Sequence, residues 1–566
     1  MSKIRKLLIS TLIVATISTS LSHFVYDSPK VVYAGEEEMQ GYVNPHDIII
    51  ATPANKYTTS SSKISILGAC DYEYPLYLNG EMVETTEYGF FTKYVELLVG
   101  ENNFTFTNND KVKTLTIIRK KPSTSSENTT GNTSGTTSGT SNASSYKAYK
   151  TDAYGVITSK YAMPRSSVSS SDLNCMPLTR GTTVRLLGEQ KGYYKIADGT
   201  FIDKSSIKMY NKALGNNIVS SAKMTNKRET NQIVTELKMN INTLYEVYFE
   251  GQEAYLTLYE TTSAKNITVP PNDLVKAVTK LVDVDEKKVI YCFEFYEDAI
   301  VLGYDVLFNN GVMKFELKKA PRLQEKGSLI GTTIFLDAGH GADDSGAVGP
   351  LGKYGPKEKD INLNITLYAK EFLEALGAKV VLSRDKDVFY SLTDRVSMIR
   401  NLRPDISVSI HGNSLDYSTN YLSTNGFLTY YSYTLYRDVP SMMNESIANA
   451  LGFKVRDPRE KSLSLTRLTT CPAVLLETAF LCNPNDYEYL IKTENQKAYG
   501  AAIGKAIQEY FETVADYGTI SYTVKKGDTL KKIATSYGVT LEDILQYNEI
   551  DDINNIKIGQ KLEIPQ

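Results

Sequence analysis

Thr333-Ile334-Phe335-Leu336-Asp337-Ala338-Gly339-His340-Gly341 is an apolar run that stops at a carboxylate and then turns around a histidine held between two glycines. Such a run, closed by a turn, reads as a strand buried on both faces. The pattern repeats outward from it. After Lys357-Glu358-Lys359-Asp360 come apolar residues at Ile361, Ile365, Tyr368, Phe372 and Leu376, ended by Gly377. That spacing predicts a helix capped by Asp360, with Glu358 in the loop just before it. Lys379-Val380-Val381-Leu382 reads as the next strand, and Ser391-x-x-Asp394 opens a second helix through Ile399. Ile406-Ser407-Val408-Ser409-Ile410 is a third strand and Ala473-Val474-Leu475-Leu476 a fourth, with amphipathic helices after it. Strands alternating with helices predict an α/β domain with a mostly parallel sheet over 331–512.

In open α/β sheets, ligands gather beyond the carboxyl ends of the strands. His340 follows the first strand, His411 ends the third and Glu477 ends the fourth, so three chemically matched residues fall on one rim. Glu358 lies where a loop can bring it to the same place. Two imidazoles and one carboxylate suit an open catalytic zinc site with a fourth position for water. A second, unligated carboxylate can then serve as base. Spacing alone does not decide which carboxylate takes which part. A single histidine at a strand end is usually a hydrogen-bonded core residue. Two of them, each in its own glycine-bracketed motif and joined by two carboxylates, favour the metal reading. A carboxylate such as Glu477, closing an apolar strand, is costly unless paired or functional.

The motifs DAGHG (337–341), KEKDINL (357–363), SIHGN (409–413) and LLETAFLCNPND (475–486) resemble those of the zinc-dependent N-acetylmuramoyl-L-alanine amidases that cut bacterial peptidoglycan. LSRD with Arg384 and SLTDR with Arg395 add supporting positions. Carried over by this resemblance, His340, Glu358 and His411 bind one Zn2+, Glu477 is the catalytic carboxylate, and Asn413 and Arg384 contact substrate. The expected reaction is hydrolysis of the amide between N-acetylmuramic acid and L-alanine. The residues alone say only metal-assisted hydrolysis, so a metallopeptidase cutting within stem peptides and a non-catalytic wall-binding protein stay open. Ala338 stands where this family usually has Pro, and Ala479 where it usually has Gly.

Beyond this domain, Tyr522-Thr523-Val524, two short helical stretches and Ile558-Gly559-Gln560-Lys561-Leu562-Glu563-Ile564-Pro565 make a βααβ unit over 520–566. It resembles the LysM domain, which binds N-acetylglucosamine-containing glycans. The resemblance places a sugar groove near Gly527, Asp528, Thr529 and Leu530, opposite Ile553 and Asn554.

Upstream the chain reads as all-β. Residues 40–121 alternate as strands with turn signals such as Asn79-Gly80, and LYLNGEMV resembles bacterial immunoglobulin-like sandwiches. Residues 146–211 resemble bacterial SH3-like domains, and 212–322 are β-rich without a named type. Between the first two, 122–145 is Ser, Thr, Gly and Asn with almost no apolar content, which cannot build a core and reads as a linker.

The chain has 566 residues, too many for one core. A formal net charge of −3 argues against a nucleic-acid partner, which calls for a basic face. There is no Trp but there are 40 Tyr, so sugar stacking would fall to Tyr or Phe. Five scattered cysteines without a CxxC pair exclude a cysteine–zinc cluster and argue against a disulfide framework. Lys3, Arg5 and Lys6, the apolar stretch Leu7 to Leu21 and Val32-Tyr33-Ala34 read as a signal peptide over 1–34. The expectation is a monomer, secreted and wall-associated, with peptidoglycan as partner and no membrane contact once the leader is removed.

Overall fold

The computed structural model describes residues 44–121, 146–168, 177–210 and 215–565, apart from 228–229, 298, 324–325, 453, 518, 538, 549 and 551. The expected leader, the linker and Cys175 lie outside these residues. No described helix is long and apolar enough to cross a membrane. Cys70, Cys292, Cys471 and Cys482 are free.

Residues 44–121 form two stacked sheets. Ile49–Thr52, Lys63–Ala69 and Phe90–Glu96 make one; Tyr57–Thr59, Lys111–Arg119, Gly100–Asn108, Leu76–Leu78 and Glu81–Val83 make the other. Alternating residues such as Ile64, Ile66, Phe91, Phe106 and Ile117 fill the layer between them. Three larger sheets follow in 146–323, five strands over 147–210 and then a five-stranded and a four-stranded sheet over 217–319, together with a two-stranded pair of Tyr161–Ala162 and Leu178–Thr179. Leu186 and Ile196 of the first share one buried cluster with Val219, Leu256 and Phe315 of the others. The hydrophobic core is thus continuous across 211/212, where the strand pattern alone suggested a break.

The α/β domain is a six-stranded sheet in the order Lys379–Leu382, Thr333–Ala338, Ile406–Asn413, Ala473–Phe480, Leu428–Tyr431, Arg459–Glu460. The first four strands are mutually parallel. Leu428–Tyr431 runs antiparallel to Ala473–Phe480, with Leu428 opposite Glu477. Helices Glu358–Ala375 and Thr493–Val514 cover one face, and their contact is tight. A Cβ at Gly500 would stand 2.7 Å from Ala369 N and 2.8 Å from Ile365 O. At the end of the chain, Thr519–Thr523 pairs antiparallel with Lys561–Pro565, and helices Leu530–Tyr537 and Leu541–Asn548 complete a small core of Val524, Leu530, Ile533, Ile544, Leu562 and Ile564.

The β modules hold opposite ends of the α/β sheet. Arg403 pairs with Asp305 at 2.6 Å and Glu316 at 2.7 Å, and Lys318 with Asp405 at 2.8 Å. Tyr304 N–H donates to Thr469 O at 2.6 Å. These segments enter the strands Ile406–Asn413 and Ala473–Phe480, so 217–319 sits under their amino ends. The N-terminal sandwich meets the opposite rim, where the strands finish.

Candidate metal centre

Each predicted ligand is placed by the end of one element. Glu358 is the first residue of its helix rather than part of the loop before it. Asp360 is correspondingly three residues past the cap, and its carboxylate accepts from Lys357 N–H at 3.0 Å. A carboxylate in the first turn of a helix is favoured by the unpaired amides there. His411 lies two residues before the end of Ile406–Asn413 and Glu477 three before the end of Ala473–Phe480, so both strands run past the residues expected to close them; the His411 carbonyl accepts from the Thr478 hydroxyl of the neighbouring strand at 3.0 Å. His340 sits in the turn after Thr333–Ala338 with φ 62°, and Ala342 follows at φ 49°. Left-handed backbone is unfavourable for residues with a Cβ, so it persists only where surrounding contacts impose it.

Those contacts come from two buried guanidiniums. Arg384 donates from Nε to Ala338 O at 2.9 Å and from one amino group to Gly339 O at 2.9 Å and Lys359 O at 2.7 Å. Its other amino group reaches Lys386 O at 3.3 Å. Arg395 donates to Ala338 O at 2.7 Å and His340 O at 2.6 Å, and pairs with Asp337 at 2.5 Å. Asp337 also accepts from the Ser409 hydroxyl at 2.6 Å. Burial opposes ionisation of Asp337, yet Arg395, His411 and the serine hydroxyls outweigh it and hold the carboxyl below its ordinary range. This corrects one expectation: Arg384, placed at the substrate by sequence, is 3% exposed and spends its donors on the turn that carries His340.

His340 Nε2, Glu358 Oε1 and His411 Nδ1 converge within 4.8 Å of one another. Glu358 Oε1 lies 2.9 Å from His340 Nε2 and 3.0 Å from His411 Nδ1. The Glu358 carboxylate is further held by N–H groups of Ala347 at 2.8 Å and Gly412 at 3.0 Å. His340 Nδ1 is 2.9 Å from Asp344 Oδ2, which leaves Nε2 aimed at the centre. Asp344 escaped the sequence reading; its only signal is a carboxylate four residues after a histidine in a glycine-rich loop. Gly339 makes room for the second ring: a Cβ there would lie 2.3 Å from His411 Cε1.

The electrostatics suit a cation. Burial disfavours charge on Glu358, but both imidazoles overcome this and hold it far below the usual carboxylate range. Burial likewise opposes protonation of His340, yet Glu358 and Asp344 raise it to about 9. His411 is raised against burial by Glu358, Glu477 and Asp337. A field that draws protons onto two imidazoles also draws a divalent ion.

Glu477 stands opposite His411 in the parallel register. Burial pushes its carboxyl up to about 7; His411 opposes this, and Glu358 adds to it. Its Oε2 is buried and has no hydrogen-bond partner among the described residues. Asn413 is half-buried beside the site, and its Oδ1 accepts from Ser414 N–H at 2.8 Å. In the terminal unit the predicted groove residues diverge. Leu530 is 1% exposed and belongs to the core, which corrects its placement at a ligand. Asp528 accepts from Tyr522 OH at 2.6 Å and Lys525 N–H at 2.7 Å, and Thr529 caps the helix through Lys532 N–H. Gly527 is open, Ile553 is exposed, and Asn554 N–H donates to Asp552.

Residues 334–509 match the N-acetylmuramoyl-L-alanine amidase family Amidase_3, and 522–565 match the LysM domain. The N-acetylmuramoyl-L-alanine amidase LytC of Bacillus subtilis (strain 168) is 36% identical over 203 residues, 35% of this chain and 37% of LytC. The uncharacterized protein YqiI of the same strain is 33% identical over 200 residues, 35% of this chain and 93% of YqiI. The probable cell wall amidase LytH of Staphylococcus aureus is 32% identical over 34% of this chain and 62% of LytH. The chain therefore spans well under two thirds of LytC and slightly under two thirds of LytH. Among solved structures, the catalytic domain of CwlV, an N-acetylmuramoyl-L-alanine amidase from Bacillus (Paenibacillus) polymyxa var. colistinus, shares 35% identity over 32% of this chain and 99% of its own, with a TM-score of 0.30. Through residues 334–509 the chain belongs to the N-acetylmuramoyl-L-alanine amidase family Amidase_3, and it carries a LysM domain at 522–565.

Proposed function

We propose that this chain is a secreted, wall-associated peptidoglycan hydrolase that cleaves the amide between N-acetylmuramic acid and L-alanine. His340 Nε2, Glu358 Oε1 and His411 Nδ1 would hold one zinc ion, and Glu477 would act as the general base. The observation that carries the reading is the placement of Glu477. Its carboxylate stands in register with a ligand histidine, pushed up to about 7, with one buried oxygen left unpartnered. The donor set fits zinc: two nitrogens and one oxygen lie within 4.8 Å of one another, the three-ligand set from which a catalytic zinc would keep a further position for water. Bound there, zinc would polarise the scissile carbonyl and acidify the attacking water.

The chain's own residues do the rest. Glu477 takes a proton from the attacking water and delivers it to the departing nitrogen of L-alanine as the C–N bond breaks. A base near neutrality serves both transfers. Asp344 fixes the His340 ring, while Arg384 and Arg395 fix the turn beneath it. The LysM domain would hold the chain on wall glycan, with Gly527, Asp528, Thr529, Ile553 and Asn554 around the groove. The immunoglobulin-like and SH3-like readings of 40–121 and 146–211 belong to the same proposal.

Digestion of purified wall by the zinc-loaded chain, followed by mass spectrometry of the products, tests this. The expected products are muramic acid with a free lactyl carboxylate and stem peptides with a free L-alanine amino group. New amino termini only inside stem peptides would make the chain a peptidase instead. Absence of any cleavage would leave a wall-binding protein.

A further inference from the structure

The strand Lys63–Ala69 of the N-terminal sandwich is buried from Ile64 onward on both faces. Strand side chains alternate, so the two faces must meet different neighbours. Ile64 and Ile66 enter the core of the sandwich. Ser65, Leu67 and Ala69 point the other way, into the amidase domain. Leu67 joins Tyr421, Phe480 and Cys482 in one buried cluster, and Ala69 joins the core that contains Leu351 and Tyr487. The edge of this strand is also shared. Ile49–Thr52 pairs only with Leu67, Gly68 and Ala69. Beside the remaining part, Ser65 N–H donates to Tyr417 O at 2.7 Å. The Ser65 hydroxyl donates to Thr419 O at 2.7 Å and accepts from Tyr421 N–H at 3.3 Å. Tyr94 OH donates to Ser418 O at 2.8 Å.

The segment captured in this way begins directly after His411-Gly412-Asn413. A second contact falls on the loop that leads into Glu358. Phe90 packs edge-on against Tyr487 at 5.4 Å, and Tyr487 OH donates to Pro356 O at 2.9 Å, two residues before Glu358. A Cβ on Gly352 of that loop would touch Ala51 at 3.4 Å. The sandwich thus grips the segment that follows His411 and the segment that leads into Glu358. Residues 414–420 contain no helix or strand of their own. A loop without its own ladder opens easily unless something else orders it.

We infer that the N-terminal sandwich is a working part of the metal centre: by pinning 417–421 and 349–356 it sets the positions of His411 and Glu358. Ser65 and Tyr94 are positioning residues, acting through the loop and touching neither metal nor substrate. The inference rests on the zinc reading above and extends it to a module distant along the chain, since Tyr94 and Ser418 are 324 positions apart and Ser65 and Thr419 are 354 apart.

The test uses the full chain with Ser65→Ala and Tyr94→Phe combined. This removes the hydroxyl bonds to the loop without opening a large hole. In metal-free protein, deuterium uptake over 414–424 should speed up about tenfold while uptake over 473–480 stays unchanged. Zinc affinity, measured by chelator competition, should fall about three- to tenfold. Turnover of a soluble muropeptide should fall through kcat more than through KM. Leu67→Ala, which loosens the same contact by packing, should act in the same direction. Unchanged uptake in both folded variants overturns the inference, and so does faster uptake with wild-type zinc affinity, because the sandwich is then only a scaffold. Exchange and zinc affinity need no amidase activity. A wild-type chain that binds zinc but releases no lactyl ends therefore defeats the proposed reaction and leaves this result standing.

Discussion

Glu477 differs from Glu358 only in its surroundings, and those surroundings give the two carboxylates opposite character. Glu358 is saturated with donors and stays charged, whereas Glu477 is desolvated, pushed to about 7 and keeps a free oxygen. Glu477→Gln should therefore retain zinc and fold, and lose about 10²–10⁴ in turnover, the usual worth of a positioned proton carrier. Zinc stoichiometry, melting temperature and turnover on one preparation check this; loss of zinc would mark Glu477 as a ligand. Asp344 acts one step further out. It is partly exposed, so Asp344→Ala should weaken zinc by about tenfold, the low end for partners that orient ligand histidines, as read by chelator competition. Asp337 supplies a pH prediction. Its native carboxyl is held below its ordinary value of 3.8, so its stabilisation is complete above that value and is lost as pH falls through the depressed native one. Denaturation curves of wild type and Asp337→Asn should accordingly keep a constant separation from about pH 6 down to about pH 4 and draw together only below that.

Elements with strong periodicity were legible in the chain, and those defined by tertiary pairing were not. Thr333–Ala338 and Ala473–Phe480 announce themselves through the unbroken apolar runs Ile334-Phe335-Leu336 and Ala473-Val474-Leu475-Leu476, and Ile406–Asn413 through Ile406, Val408 and Ile410 at alternate positions. Leu428–Tyr431 has four residues and pairs antiparallel at the far side, so nothing local distinguishes it. The helix Asp438–Leu451 carries Val439, Met443 and Ile447 at helical spacing, but Arg437 makes no side-chain cap and Pro440 falls in the first turn. Of the site, His340, Glu358, His411 and Glu477 could be read from motifs as candidates. Asp344 could not, nor the inward turn of Arg384, because a guanidinium beside a glycine loop looks the same whether it faces substrate or carbonyl oxygens. Gly500 shows how packing overrides propensity. Alanine is worth about 1 kcal/mol more than glycine in an exposed helix. Here the added Cβ would strike the backbone of Ala369 and Ile365 at under 3 Å. Overpacking costs about 1–3 kcal/mol, so Gly500→Ala should destabilise the domain on balance, by an amount that chemical denaturation will report.

At the scale of the whole molecule, chemistry and retention lie on separate units. The terminal domain closes its own core around Leu530, Ile544 and Leu562, and no metal-site residue belongs to it. Just before it, Arg322–Leu323 pairs in parallel with Asp516–Tyr517, and the Arg322 guanidinium lies 5.6 Å from the Tyr547 ring. Neither contact reaches the rim where His340, Glu358, His411 and Glu477 meet. Joining a glycan-binding unit to a catalytic one raises the local concentration of a polymeric substrate without altering the catalytic step. Removing 519–566 should therefore leave cleavage of a soluble muropeptide within about twofold of the full chain, while intact wall is digested more slowly and pelleting with wall falls by about tenfold or more. The comparison with Glu477→Gln isolates the two effects, since that variant should pellet like wild type and cleave neither substrate. Equal pelleting with and without 519–566 would move wall retention to the β modules upstream; because the whole chain has 40 tyrosines and no tryptophan, any sugar-stacking surface there is built from Tyr or Phe.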